Sequence, residues 1–278
     1  MRKQRVLTEQ NISEISEYLT PRQLARLERK QRKSTANEQS THQKTERHHQ
    51  NRVAHLKPLQ AKTEAQAHLL MALEKYDQVL VYGPAGTGKT FCTTTFAAQE
   101  YIKGHYDRIV ITRPNKEIES SLGFFPGSLN EKLGVWLAET ISILKQTLGG
   151  EAYEIALKNG DIEMVPFEVM RGRSFSNSIV LVTEAQNTTV KEMTAFVTRT
   201  GEGSKVVIDG DLRQSDIGDV NGLRWAVDMV KRNKSLSEFT GVVQFSSDDI
   251  VRSGLCGAWV RAIEKQYDNT SPEVVRKM

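Results

Sequence analysis

The sequence predicts an α/β protein whose parallel sheet is held between helices and built around a phosphate-binding loop. Three observations carry this. The apolar run Val79–Tyr82 leads straight into Gly83-Pro84-Ala85-Gly86-Thr87-Gly88-Lys89-Thr90, the Walker A pattern. Five short runs rich in branched apolar residues recur between helical stretches: Val79–Tyr82, Arg108–Thr112, Ile179–Thr183, Val206–Asp209 and Val242–Phe245. Charged and amide residues gather just after the second, third and fourth runs, at the carboxyl ends of strands where such sheets bind ligands.

The loop comes first. Glycine at 83, 86 and 88 lets the backbone wrap closely enough to aim N–H groups at phosphate oxygens. Lys89 has the reach for the β- and γ-phosphates, and the Thr90 hydroxyl suits Mg²⁺. The stretch Phe91–Tyr101 reads as the following helix, with Gly104 as its stop. The bland alternative, a glycine-rich turn beside a surface lysine, does not account for a strand before and a helix after. A nucleoside triphosphate is the expected ligand.

Composition narrows the class. A chain of 278 residues suffices for one large domain or two small ones. No run approaches the roughly 18 apolar residues of a membrane span, and no apolar signal region opens the chain. A cytoplasmic protein with no membrane partner is expected. Cys92 and Cys256 make neither a disulfide framework nor a zinc site. The net charge of +4 is uneven. Residues 1–57 hold 13 Lys/Arg and 6 Asp/Glu, a net of +7, which leaves −3 for the remainder.

Three regions emerge: a basic leader and linker over 1–55, a core over 56–270, and a tail over 271–278. In the leader, Thr20, Pro21 and Gln23 suit the start of a basic helix, with Leu24 and Leu27 as a thin apolar stripe. Residues 34–55 read as a disordered linker. The leader is either an attachment to nucleic-acid phosphates or a solvated tail. His42, His48, His49 and His55 lack acidic or cysteine partners at ligand spacing, so they support a metal site only weakly.

In the core, Thr63 is a cap for an amphipathic helix through Ala67, Leu70, Met71 and Leu73. Gln66 on it is a candidate adenine reader, because an amide both donates and accepts. After the strands stand Thr112-Arg113-Pro114, Glu184-Ala185-Gln186-Asn187 and Gly210-Asp211-Leu212-Arg213-Gln214. About 65 residues separate the second and third runs, far more than a simple crossover needs. This insertion has a helix through Leu133, Leu137, Ile141 and Leu144. It is either a substrate surface, with Arg171 and Arg173 mixed among Phe167 and Phe175 as in single-strand binders, or an ordinary helical elaboration. The last helix, near Gly257–Tyr267, is expected to pack on the sheet through Ala258, Trp259, Ala262 and Ile263.

Taken together, these blocks resemble the PhoH family. The matching stretches are Tyr82–Thr90, Ile111–Pro114, Leu122–Gly127, Met170–Arg173, Glu184–Thr189, Thr198-Arg199, Gly210-Asp211 through Gln214, Gly222–Arg224 and Asp249–Arg252, within roughly residues 57–265. No PIN-type ribonuclease domain precedes the core in this sequence, so it resembles a short form of the kind that phages also carry. The resemblance implies a RecA-like P-loop NTPase core similar to the motor domain of superfamily 1 helicases. It also implies ATP with Mg²⁺ as ligands and ATP hydrolysis coupled to RNA or single-stranded DNA. By position, Glu184 matches the residue that orients or deprotonates the attacking water, and Gln214 the γ-phosphate sensor. Arg252 matches an arginine able to act as a finger, and a single motor core needs a homo-oligomer to translocate.

One departure stands out. The family has Asp before Glu at the second motif; here that position is Thr183, while the strand before Gly210 ends in Asp209 where the family favours Thr. In RecA-like sheets those two strand ends are neighbours. Asp209 is therefore expected to restore the Mg²⁺ carboxylate; the rival is an ATP-binding switch with negligible turnover. A small-molecule kinase is a third reading, with no acceptor lid to support it.

Overall fold

A computed structural model describes residues 56–114, 129–170 and 173–270 of the chain. The leader helix at Thr20-Pro21, the histidine group, the Gly123–Gly127 block and Arg171 lie outside the described residues. The chain divides between Leu56 and Lys57, and the second unit holds the sheet and its helices.

Six parallel strands form one sheet: β1 (Gln78–Tyr82), β2 (Arg108–Arg113), β3 (Ile162–Pro166), β4 (Ser178–Val182), β5 (Lys205–Gly210) and β6 (Thr240–Gln244). Their spatial order is β3-β2-β4-β5-β1-β6. The helices are α1 (Glu64–Lys75), α2 (Lys89–Ile102), α3 (Leu129–Trp136), α4 (Ala138–Leu148), α5 (Gly150–Asn159), α6 (Val190–Val197), α7 (Gly222–Arg232), α8 (Lys234–Ser237) and α9 (Gly254–Thr270). This is the expected fold class, a P-loop core with a parallel sheet between helices.

The strands read as continuous apolar runs because both faces are covered. Leu80, Val110, Val180, Val206 and Ile208 meet Met193 and Phe196 of α6 and Leu223 and Val227 of α7. Their alternates Val81, Ile109, Ile179 and Val207 are equally buried, on the face where α2 packs against β2, β4 and β5. α1 packs against β1 and β6.

Four expectations needed correction. β3 was missed, since Ile162-Glu163-Met164-Val165-Pro166 alternates poorly and ends in proline; at a sheet edge both are tolerated, and Glu163 meets Arg108 and Arg173. The insertion helix is two helices, broken at Leu137. α1 is capped by Thr63 as expected, but it buries Ala65, Gln66, Leu69, Ala72 and Leu73 and leaves Met71 exposed. α9 does not pack on the sheet: Trp259 is 65% exposed and Leu255 and Ile263 are exposed with it. Both sheet faces are already covered by α1, α2, α6 and α7, so no face remains for it.

Candidate functional site: a phosphate-binding loop and its carboxylates

The loop leaves β1 at Gly83, where φ is +145° and an added Cβ would stand 2.4 Å from the carbonyl oxygen of Phe245. Only glycine fits that approach. Gly88, in the left-handed region, caps α2 without a side chain, so the first N–H groups of a 14-residue helix stay open toward an anion. Within the loop, Lys89 Nζ donates to the carbonyls of Gly83 (2.8 Å) and Pro84 (2.9 Å), and Thr87 Oγ1 donates to Pro84 (3.0 Å). The ammonium thus already lies inside the cradle that a phosphate would fill.

Gln66 sits behind the loop, buried. Its Nε2 donates to the Thr87 carbonyl (2.9 Å) and its Oε1 accepts from the Lys62 N–H (2.8 Å). Its amide therefore braces the loop.

A cavity of about 270 Å³ opens beside the loop. It brings together Ala85, Gly86, Gly88, Lys89, Thr90, Glu139, Thr183, Glu184, Asp209, Gln214 and Arg252 from five separate stretches of sequence. Gly83, Pro84, Thr87 and Gln66 form the back of the loop, outside its lining. β5 lies between β1 and β4, and Val182 pairs with Ile208. The next residues, Thr183 and Asp209, are therefore side by side. Thr90 Oγ1 donates to Asp209 Oδ2 at 2.7 Å. Asp209 is 6% exposed, and burial pushes its carboxyl up to about 6, against the pull of Lys89 and the Thr90 hydrogen bond. Glu184 and Glu139 push it further in the same direction. Thr183 faces the other way in its bonding: its N–H and hydroxyl both point to the Thr112 carbonyl.

Glu184 is held in the left-handed region, φ +54°, an uncommon conformation for a non-glycine residue. A buried amide fixes it. Gln186 Nε2 donates to Glu184 Oε2 (2.7 Å), and Gln186 Oε1 accepts the Asp211 N–H (3.0 Å). Asn187 repeats the device, donating to Asp216 Oδ2 and accepting from the Asp216 N–H, both at 2.9 Å. The Glu184 turn and the Asp211–Asp216 loop, which carries Gln214, are thus one hydrogen-bonded unit. Burial also raises the Asp211 carboxyl. Arg252 reaches in from the segment before α9, more than half exposed, 4.0 Å from Glu139.

Sequence reasoning named Gln186 and Asp211 only as parts of motifs and missed Glu139, which no local pattern marks. Phe167 and Phe175 are buried, and Arg173 is engaged by Glu163 at 2.6 Å, so those rings offer no stacking surface. The donor set suits Mg²⁺. This hard cation takes oxygen ligands and uses one or two protein groups beside phosphate oxygens, and Thr90 and Asp209 present two oxygens together. Among the described residues no helix is long and apolar enough to cross a membrane.

The chain has relatives among known proteins. The chain is similar to Protein PhoH of Escherichia coli (strain K12), 37% identical over 203 residues, which cover 72% of this chain and 56% of that protein. It is likewise 37% identical over 212 residues to a PhoH-like protein of Bacillus subtilis (strain 168), covering 76% of this chain and 65% of that one. The chain thus spans little more than half of the first of these relatives. Among solved structures it aligns with the large terminase of a thermophilic bacteriophage (TM-score 0.47, 11% identity, 70% of this chain and 48% of that one). It also aligns with the UvsW helicase of bacteriophage T4 (TM-score 0.40, 12% identity, 71% and 66%). Both likenesses are too distant to bear on function. The family model described as PhoH-like protein matches residues 58–264, and the chain belongs to that family.

Proposed function

We propose that this protein hydrolyses ATP with Mg²⁺ and couples hydrolysis to RNA or single-stranded DNA. The observation that carries the reading is the Thr90–Asp209 hydrogen bond, which puts a carboxylate beside the Walker A hydroxyl although position 183 is threonine. Lys89 exchanges the carbonyls of Gly83 and Pro84 for the β- and γ-phosphates, and the start of α2 adds its N–H groups. Thr90 and Asp209 would hold Mg²⁺, which would supply neutralisation of phosphate charge. Glu184, fixed by Gln186, orients the attacking water and takes its proton. Gln214 senses the γ-phosphate from the adjoining loop. Arg252 faces the developing charge, either in its own copy or in a second one. A homo-oligomer is consistent with the exposed stripe of α9, which begins just after Arg252. Gln66 both braces the loop and reads adenine. A cytoplasmic setting fits these ligands.

A second reading, an ATP-binding switch with negligible turnover, is favoured by one observation: Asp209 is buried and reluctant to ionise. Phosphate release from Mg²⁺-ATP, measured with and without RNA and single-stranded DNA and with Lys89→Ala as blank, separates the two. Turnover that rises with a strand is expected. ATP binding without turnover in every condition overturns the first reading for the second. Transfer of phosphate to a small metabolite overturns both in favour of a kinase.

A further inference from the structure

β6 is the edge of the sheet, and a trough runs along it. Two adjoining cavities form it, of about 760 and 470 Å³, which share Lys231 and Gln244 in their walls. The larger is lined by His68 and Lys75 of α1, Lys231 and Arg232 of α7 and Lys234 of α8, with no carboxylate among its lining residues. This is unusual for a core whose sequence beyond residue 57 is net acidic. Among the described residues no ion pair engages Lys75, Lys231 or Lys234. Lys75 lies over the Tyr76 ring, and Lys231 donates to the Tyr82 hydroxyl at 3.2 Å, both neutral partners.

Lysines beside an open edge strand also discourage pairing with another chain. That accounts for the larger cavity but not for the smaller one. There Arg213, Arg224, Ser246 and Ser247 gather beside Asp228 past the strand ends, where no ladder is open to protect, and Arg224 also stands 3.6 Å from Asp219. The smaller cavity also reaches the nucleotide site. Its wall includes Asp211, Leu212 and Arg213; Asp211 lines the nucleotide cavity as well, and so does Gln214.

We propose that this trough holds the sugar-phosphate backbone of a single nucleic-acid strand, and that the Asp211–Gln214 loop signals its presence to the nucleotide site. This deepens the nucleic-acid-coupled reading above and rests on it. The ligand class follows from the lining. In the larger cavity cations recur with amide and hydroxyl groups between them, and in the smaller one Arg213, Arg224 and Lys231 outnumber Asp211 and Asp228, a pattern that matches phosphates at intervals. Tyr82 and Phe245, which border its inner end, are buried, and the half-buried Tyr76 ring in the larger cavity is covered by Lys75, so the trough recognises phosphates rather than base edges and binding is independent of sequence.

The test is fluorescence anisotropy of the full chain with labelled homopolymeric RNA and its DNA counterpart across a salt series, with thermal melting to confirm folding. The test protein is Lys231→Ala/Lys234→Ala; the control is Lys158→Ala/Lys191→Ala, which removes the same charge from helices away from the trough. The basic leader is present in every protein, so it cancels from the comparison. The test protein should bind about tenfold more weakly, with the slope of log affinity against log salt reduced by about 0.7 for each phosphate it no longer neutralises. The control should fall far less. Lys234→Ala alone, at an exposed position without a side-chain partner, serves if the double variant does not fold. If the parent binds a strand and the test protein matches the control in affinity and slope, the trough is wrong while the coupled reading stands. If the parent binds no strand even at low salt, both fall. If poly-glutamate but no oligonucleotide binds with this loss, the trough belongs to an acidic protein partner and the proposal is overturned.

Discussion

The hydroxyl of Thr90 donates to the carboxylate of Asp209 across 2.7 Å, joining the phosphate-binding loop after β1 to the neighbouring strand β5. The carboxylate therefore arrives from the strand beside the loop, and the strand that carries Glu184 contributes Thr183 instead.

Asp209→Asn should lower Mg²⁺-dependent phosphate release by about a hundredfold or more while ATP binding persists. The exchanged protein Thr183→Asp/Asp209→Thr should recover much of the loss, because the two strand ends are adjacent. Steady-state turnover measures both, and an unchanged rate in Asp209→Asn would remove Asp209 from the metal site.

Asp209 also predicts a pH-dependent stability. Its carboxyl holds its proton to about pH 6 in the folded chain and to about 3.8 in the unfolded one. Between those values the folded state binds more protons, so stability falls as pH rises, and the full penalty applies above pH 6. Without Mg²⁺, Asp209→Asn should therefore be more stable than the parent at pH 8, by about 2–3 kcal/mol at most, and the gain should vanish near pH 4. Chemical denaturation in EDTA at the two pH values tests this; an equal difference at both would refute it.

Gln186→Leu strands the Asp211 N–H and frees Glu184. It should cost about 1–3 kcal/mol of stability and lower kcat much more than it changes KM for ATP. A pure rise in KM would assign Gln186 to nucleotide binding instead.

Gly83→Ala places its methyl against the Phe245 carbonyl and strains the start of the loop. A loss of about 1–3 kcal/mol with weakened ATP binding is expected, read by denaturation and nucleotide titration.

Trp259→Ala should be close to neutral for the isolated chain, within about 0.5 kcal/mol, because the ring is 65% exposed. A loss of core size, about 3–5 kcal/mol, would mean that the helix packs as its apolar stripe suggests.

The sequence by itself determined the loop, five of the six strands, the caps of α1 and α2 and the candidate residues at the strand ends, because each is a local pattern. Glycine spacing, branched apolar runs and capping residues act over a few positions. It also marked the Thr183–Asp209 exchange as a question. Only the tertiary structure decided what depends on residues distant in the chain. β3 is a strand because an edge tolerates its glutamate and proline. Met71 is exposed because α1 buries its other side, through Leu69, Ala72 and Leu73, and α9 is exposed because other helices already cover both sheet faces. Gln186 and Asn187 became legible only once β4 and β5 lay side by side, and Glu139 only once α4 packed against α2, since hydrogen bonding and desolvation are set by three-dimensional neighbours.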